Sequence, residues 1–185
     1  MLNTILNADV WFENMLLGVR TPFFLHLFSW ITFLGNTAVV IAVTGIVGIF
    51  LLFSQRFKAY AGGLIAAVIG ASGTSYILKI LVGRARPSGL IPSAIETSFS
   101  FPSGHATLAM ALYGFLAYLL CKLYPKNTAL IVTLATLVIF VIGFSRLYLG
   151  LHFPTDVLAG YFLGGLWLLV GIKITTLLKR DAIVK

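Results

Sequence analysis

Long apolar runs alternate with short polar breaks along the whole chain. Five runs are long enough to cross about 30 Å of hydrocarbon, which takes about 20 residues of helix. They are Asn36 to Phe53, Ala59 to Val82, His105 to Leu123, Thr128 to Phe144 and Thr155 to Leu178. A sixth apolar stretch, Met15 to Leu34, is interrupted by Arg20 and Pro22. Two arrangements fit it: a full span joined to the next through a Gly35-Asn36 turn, or an interfacial helix preceded by the amphipathic Leu2 to Trp11 segment. The pattern therefore predicts an all-α fold, a polytopic transmembrane helix bundle of five spans plus this N-terminal apolar segment. Inside the runs, Gly62, Ala66, Gly70 and Thr74 recur every four residues, as do Gly160 and Gly164. Small residues so spaced let helices approach closely in lipid, so these are predicted packing positions. Trp11, Trp30, Tyr148 and Trp167 are expected as interfacial anchors or lipid-facing bulk.

Composition agrees with this reading. With 59% hydrophobic and 10% charged residues, the chain has too few charges to cover a soluble globule. A net charge of +8 raises the question of nucleic acid, but the basic residues sit at the ends of apolar runs and form no stripe with interleaved aromatics. Nucleic-acid binding is set aside. Cys121 is the single cysteine, which excludes an intrachain disulfide and a cysteine-only metal site. Asp9 and Glu13, with no Lys or Arg before Arg20, do not read as a cleavable signal peptide.

Basic residues also set the orientation. Arg56, Lys58, Lys122, Lys126, Lys173, Lys179, Arg180 and Lys185 fall on one side; Arg20, Lys79, Arg84, Arg86 and Arg146 fall on the other. The positive-inside rule turns the first group, and the C-terminus with it, to the cytoplasm. Up-and-down threading then brings four span ends to the extracytoplasmic face, and those ends carry nearly all the remaining polar chemistry. The sizeable loop there is Ser88 to Phe101.

That chemistry lies in three segments: K-x6-R-P from Lys79 to Pro87, P-S-G-H from Pro102 to His105, and S-R-x5-H-x3-D from Ser145 to Asp156. Pro154 favours a helix start, which puts Asp156 in the first turn and lets it reach back to His152. A carboxylate on one imidazole nitrogen fixes the tautomer and leaves the other nitrogen to attack. Ser103 is a good N-cap, Gly104 lets backbone approach a ligand, and amides at a helix start favour a phosphate. His105, next in line, is placed to protonate a leaving oxygen. Lys79 and Arg86 are two helical turns apart and are expected on one face, with Lys79 roughly 10 Å deeper. Arg84 falls outside the motif and reads as a loop or headgroup contact. Together Lys79, Arg86, Arg146, Ser103 and the Gly104 amide can hold a phosphoryl group, with His152 as nucleophile, His105 as acid and Asp156 as orienter. Metal ligation by His105, His152 and Asp156 is the competing arrangement, but three neighbouring cations would repel a metal ion.

All three segments, without a gap, resemble the signature of the type 2 phosphatidic acid phosphatase family, membrane lipid phosphatases that share an active site with vanadium-dependent haloperoxidases. The resemblance runs from about Ile31 to about Leu178. It implies a single membrane-embedded domain over residues 1–185, six spans as in many members, and metal-independent chemistry without a cofactor. It also implies His152 and His105 as nucleophile and general acid; it does not fix the substrate, and a site at the membrane surface with a short loop favours a lipid phosphate. Bacterial relatives act on undecaprenyl pyrophosphate, phosphatidylglycerophosphate, phosphatidic acid or lipid A phosphates, and no residue in the sequence separates these or fixes an oligomeric state. A non-catalytic lipid transporter, with Lys79 as a pathway residue, and a vanadate-dependent haloperoxidase are the alternatives.

Overall fold

Each polar break in the apolar pattern becomes a helix terminus. The computed structural model describes residues 2–54, 56–87 and 98–184. Among these the regular elements are all helical: α1 (Leu2–Leu17), α2 (Pro22–Phe33), α3 (Thr37–Leu52), α4 (Lys58–Val82), α5 (Gly104–Leu123), α6 (Thr128–Tyr148) and α7 (Pro154–Val184). The Thr21 hydroxyl accepts from the Phe24 amide ahead of Pro22, and Asn36 Oδ1 accepts from the Ala38 amide at 2.9 Å, so α2 and α3 each carry a side-chain N-cap. A 3₁₀ turn over Pro125–Asn127 joins α5 to α6.

Among the described residues five helical stretches are long and apolar enough to cross a membrane: Pro22–Leu52, Lys58–Val82, Gly104–Leu123, Pro125–Tyr148 and Pro154–Arg180. The Met15 to Leu34 stretch is not one continuous span. It is cut between Leu17 and Pro22, and the 12 residues of α2 reach only about 18 Å. α2 packs on α6, its Phe24 and Phe28 rings lying against Tyr148, and the Leu34 carbonyl accepts from the Tyr113 hydroxyl of α5 at 2.9 Å. From there α3 continues against α4. By length and composition α2 and α3 together make up one of the five candidates, both ends of α2 contact residues at the motif end of the bundle (Thr21 with Tyr148, Thr32 with Arg146), and α1 lies outside the five.

α7 is the central helix and makes its broadest contacts with α4 and α5. Small residues allow it. A Cβ on Gly63 would strike the Gly171 carbonyl, and one on Gly160 would stand 2.7 Å from the Ser103 carbonyl, so side chains at either site would push α7 away. Trp167 is not a membrane anchor: its ring covers Gly70, and Nε1 donates to Thr74 Oγ1 at 2.9 Å, locking α7 to α4. Nor is Tyr148, which is buried and exchanges bonds with the Thr21 amide and the Val19 carbonyl. Trp11 and Trp30 are exposed, as expected of interface or lipid-facing residues.

α4 ends earlier than the sequence suggests. Gly83 takes the left-handed conformation at φ 61°, and its amide closes on the Lys79 carbonyl. Arg84 to Pro87 therefore leave the helix, and Lys79 and Arg86 do not share a helical face. Lys79 sits in the last turn of α4 instead of two turns below its end. The gathering of motif ends is direct: the Ser103 amide donates to the Asp156 carbonyl at 3.0 Å, and the Ser100 amide to the Arg84 carbonyl at 2.8 Å. Of the loop expected from Ser88 to Phe101, residues 88–97 lie outside the described residues.

Candidate active site

The turn after α6 and the first turn of α7 build the centre. Gly150 at φ 69° reverses the chain, the Leu151 amide donates to the Arg146 carbonyl, and Pro154 opens α7. Asp156 is fully buried, and its Oδ2 accepts the Phe153 amide at 2.9 Å, the reach-back bond of a capping box. The same oxygen accepts the Ser100 hydroxyl at 2.5 Å, while Oδ1 accepts Arg84 Nη1 at 2.8 Å.

His152 is 3% exposed, with Nδ1 at 3.6 Å from Asp156 Oδ2 and 3.3 Å from Ser100 Oγ. The carboxylate is thus too far for a direct bond, and Ser100 is the bridge. On the other side of the ring, Nε2 lies 3.2 Å from Arg86 Nη1. A guanidinium can only donate, so Nε2 carries the lone pair and the proton is on Nδ1, facing Ser100 and Asp156. Burial takes the imidazole from 6.5 down to about 4; the nearby Asp156 carboxylate opposes this, and the charges of Arg146, Arg86 and Lys79 add to it. At neutral pH the ring is uncharged, with Nε2 turned to the cations.

Those cations are held from different elements. Lys79 Nζ donates to the Phe99 carbonyl at 2.6 Å. Arg86 spans the Ser98 carbonyl, the Ser98 hydroxyl and the Leu151 carbonyl at 2.8, 3.0 and 2.7 Å. Arg146, 2% exposed, donates to Thr32 Oγ1 of α2 at 2.9 Å. Ser103 stands at the N-cap position of α5, but its hydroxyl makes no cap bond; Oγ is buried without a hydrogen-bond partner. A ligand oxygen would satisfy it. A Cβ on Gly104 would come 3.9 Å from Lys79 Cε, which places the α5 amino terminus beside that lysine. His105, half-buried, stands against the α2–α3 turn, where a Cβ on Gly35 would meet its Cδ2 at 3.1 Å.

Sequence reasoning missed four participants. Arg84, read as a loop or headgroup contact, pins Asp156, stacks 4.2 Å over Phe153 and bonds Asp9 Oδ2 at 2.7 Å. Asp9 in turn binds the Thr155 amide and hydroxyl. Ser100 and Thr32 complete the list. Asp9 carried a usable signal, being one of five acidic residues in the chain and lying in an apolar helix. Ser100 and Thr32 carried none.

A groove leads away from the site. A cavity of about 270 Å³ is lined by Thr37, Ser72, Ser75, Tyr76, Lys79, Ser98, Gly104 and Leu108. A second, of about 320 Å³, shares Thr37, Ser72 and Leu108 and continues between α3 and α4 past Val40, Ile41, Val68, Ile69 and Gly73. The upper cavity carries the polar side chains Ser75, Tyr76, Lys79 and Ser98, and the lower one is lined almost wholly by apolar surface. Among the described residues no three His, Cys, Asp or Glu side chains are grouped to hold a metal ion.

The chain is similar to known proteins in sequence and in fold. Residues 60–180 match the model of the PAP2 superfamily. Over 166 residues the chain is 34% identical to the phosphatidylglycerophosphatase B of Bacillus subtilis, covering 88% of this chain and 80% of that protein. It is 33% identical over 118 residues to a lipid A 4'-phosphatase of Bacteroides thetaiotaomicron, covering 56% and 50% of the two chains. The crystal structure of a transmembrane PAP2-type phosphatidylglycerolphosphate phosphatase from B. subtilis superposes with a TM-score of 0.86 at 28% identity, over 99% of this chain and 89% of that one.

Proposed function

Since this chain belongs to the PAP2 superfamily, we propose that it is a membrane lipid phosphatase in which His152 takes up the phosphoryl group. The observation that carries this is the buried His152 ring: proton on the Ser100–Asp156 side, lone pair on Nε2, and three cations around it.

The terminal phosphate enters among Lys79, Arg86, Arg146, the Ser103 hydroxyl and the Gly104 amide, which meet its equatorial oxygens. Arg86 Nη1 gives up its bond to Nε2 and takes a phosphoryl oxygen. Nε2 then forms the N–P bond in line as the P–O bond to the leaving group breaks, and His105 gives that oxygen its proton. Asp156, through Ser100, stabilises the charge that develops on the ring. In the second half, His105 takes a proton from water, the water oxygen bonds phosphorus and the N–P bond breaks. Fixed cations supply the charge that a metal would otherwise bring.

Three features support a lipid as substrate. The site crowns the bundle, the α3–α4 groove runs from its polar head into the apolar span, and Ile41 and Ile69 at its rim are exposed to the surrounding lipid. Phosphate and headgroup occupy the upper cavity, the tail the lower. The names of the two relatives point to phosphatidylglycerophosphate and lipid A phosphates; undecaprenyl pyrophosphate and phosphatidic acid fit the same chemistry. Arg56, Lys58, Lys122 and Lys126 lie at the opposite ends of the spans, so the site faces the extracytoplasmic side of the cell membrane and the C-terminus the cytoplasm.

Phosphate release by the purified protein from a panel of these lipids tests the reading, with release from at least one expected. No release from any of them, in protein that is folded, would overturn it. Reporter fusions test the facing: a C-terminal tag labelled from outside intact cells would reverse it.

A further inference from the structure

We propose that Asp9, in the N-terminal helix and outside the residues matched by the family model, is a positioning residue for the reaction, acting on Asp156 through Arg84. The inference rests on the phosphatase reading above.

Asp9 is 2% exposed on a helix whose other faces carry exposed apolar side chains, Leu6, Val10 and Trp11 among them. A buried carboxylate on such a helix is costly without partners, and Asp9 has three. Oδ2 accepts Arg84 Nη2 at 2.7 Å and the Thr155 hydroxyl at 2.5 Å, and Oδ1 accepts the Thr155 amide at 3.1 Å. Thr155 is the second residue of α7, so Asp9 caps, from another helix, the end on which Asp156 sits.

Arg84 stands between the two carboxylates. Nη1 serves Asp156 Oδ1 at 2.8 Å and Thr155 Oγ1 at 2.7 Å, while Nη2 serves Asp9. The planar fork can make both contacts only in one orientation, with Phe153 fixing the plane from 4.2 Å. Two consequences follow for His152. First, the Asp156 carboxylate cannot rotate without breaking the Arg84 bond, so Oδ2 stays on Ser100 and the relay to Nδ1 holds. Second, Arg84 brings one positive charge against two negative ones. The cluster keeps a net negative charge beside a ring otherwise ringed by Lys79, Arg86 and Arg146. With Asp9 neutral, Arg84 would pair with Asp156 alone and cancel the charge that steadies the phosphorylated ring.

The perturbation falls on catalysis and leaves phosphate binding, which uses other side chains, in place. Asp9→Asn is near-isosteric and is expected to lower kcat by roughly tenfold or more with KM within about threefold, the signature of a contact that matters in the transition state. Arg84→Gln leaves the negative charge in place but frees the Asp156 carboxylate to rotate, and through that loss of orientation should show the same split. In the Arg84→Gln background, Asp9→Asn should cost less than it does in wild type, because the Asp9–Arg84 contact is already gone and only the Asp9 bonds to Thr155 remain to be lost. Arg84→Lys retains a cation but not the fork, and is expected to lose kcat like Asp9→Asn even if the latter does not fold. Folded protein is scored by thermal unfolding in detergent. Wild-type kcat in folded Asp9→Asn or Arg84→Lys, or fully additive losses in the double variant, would overturn the proposal while leaving the phosphatase reading intact. An inactive wild-type protein would instead strike at that reading.

Discussion

Replacing Asp156 by Asn removes one charge and little volume, and the structure gives the cost. Oδ2 lies 3.6 Å from His152 Nδ1 with Ser100 between. When Nε2 bonds phosphorus the ring becomes cationic, and a unit charge at 3.6 Å in an effective dielectric of about 20 is worth roughly 5 kcal/mol. At about 1.4 kcal/mol per decade this is on the order of a thousandfold in rate. Asn also faces a mismatch: one side meets the Arg84 donor, the other the Ser100 hydroxyl and the Phe153 amide, so its own NH₂ must point at a donor. The penalty for that buried group is about 1 to 3 kcal/mol of stability, lowering the melting temperature without abolishing the fold. Steady-state assay of detergent-purified Asp156→Asn should show kcat down about a thousandfold and KM little changed, since Lys79, Arg86 and Arg146 remain. A folded variant with kcat within about tenfold of wild type would refute the charge argument, leaving Asp156 as a helix cap only.

Other consequences follow from the same geometry. His152 protonates only near pH 4, so it stays a competent nucleophile through mildly acidic pH; after allowance for the substrate's own ionisation, the acid limb of kcat/KM should lie near pH 4, and a limb at about 6.5 would show an exposed ring. Gly73 lines the groove, and a Cβ there meets nothing within 4 Å. Gly73→Leu should fold, and should raise KM for long-tailed lipid phosphates while sparing a tail-less one. In wild-type protein each methylene removed from the tail should cost up to about 0.8 kcal/mol, and equal kcat/KM for glycerol phosphate would contradict a lipid site. EDTA should leave activity unchanged and vanadate should inhibit, because vanadate takes up the five-coordinate geometry that the cations fit; activity lost in EDTA and restored by one divalent ion would refute metal-free chemistry.

Helix number and the convergence of motif ends were legible because hydropathy is a strong, local signal in a chain that must satisfy its backbone inside lipid. The His152–Asp156 pair was legible for a related reason: Pro154 marks a helix start, and the distance from it is fixed by the helical repeat. What failed depended on a single backbone angle or on distant partners. Gly83, by entering the left-handed region, ended α4 early and turned Arg86 from a helical residue into a strap over Ser98 and Leu151. Arg84 then moved from the periphery to the back of Asp156. Trp167 and Tyr148 looked like anchors because aromatic residues near span ends usually are; each proved to fill a space between helices, over Gly70 in one case and against Phe24 and Phe28 in the other. Asp9 and Thr32 reach the site across more than seventy and one hundred residues of chain, and no local pattern announces such pairs.

The most direct test is a rapid-quench experiment with a lipid carrying a ³²P-labelled terminal phosphate. The account predicts a burst of labelled protein, stable in base and labile in acid as expected of an N–P bond. The label should map to the peptide containing His152 and be absent from His152→Ala. A burst of the same size in folded His152→Ala, or turnover in that variant at the wild-type rate, would contradict the assignment of His152 as the residue that takes up the phosphoryl group.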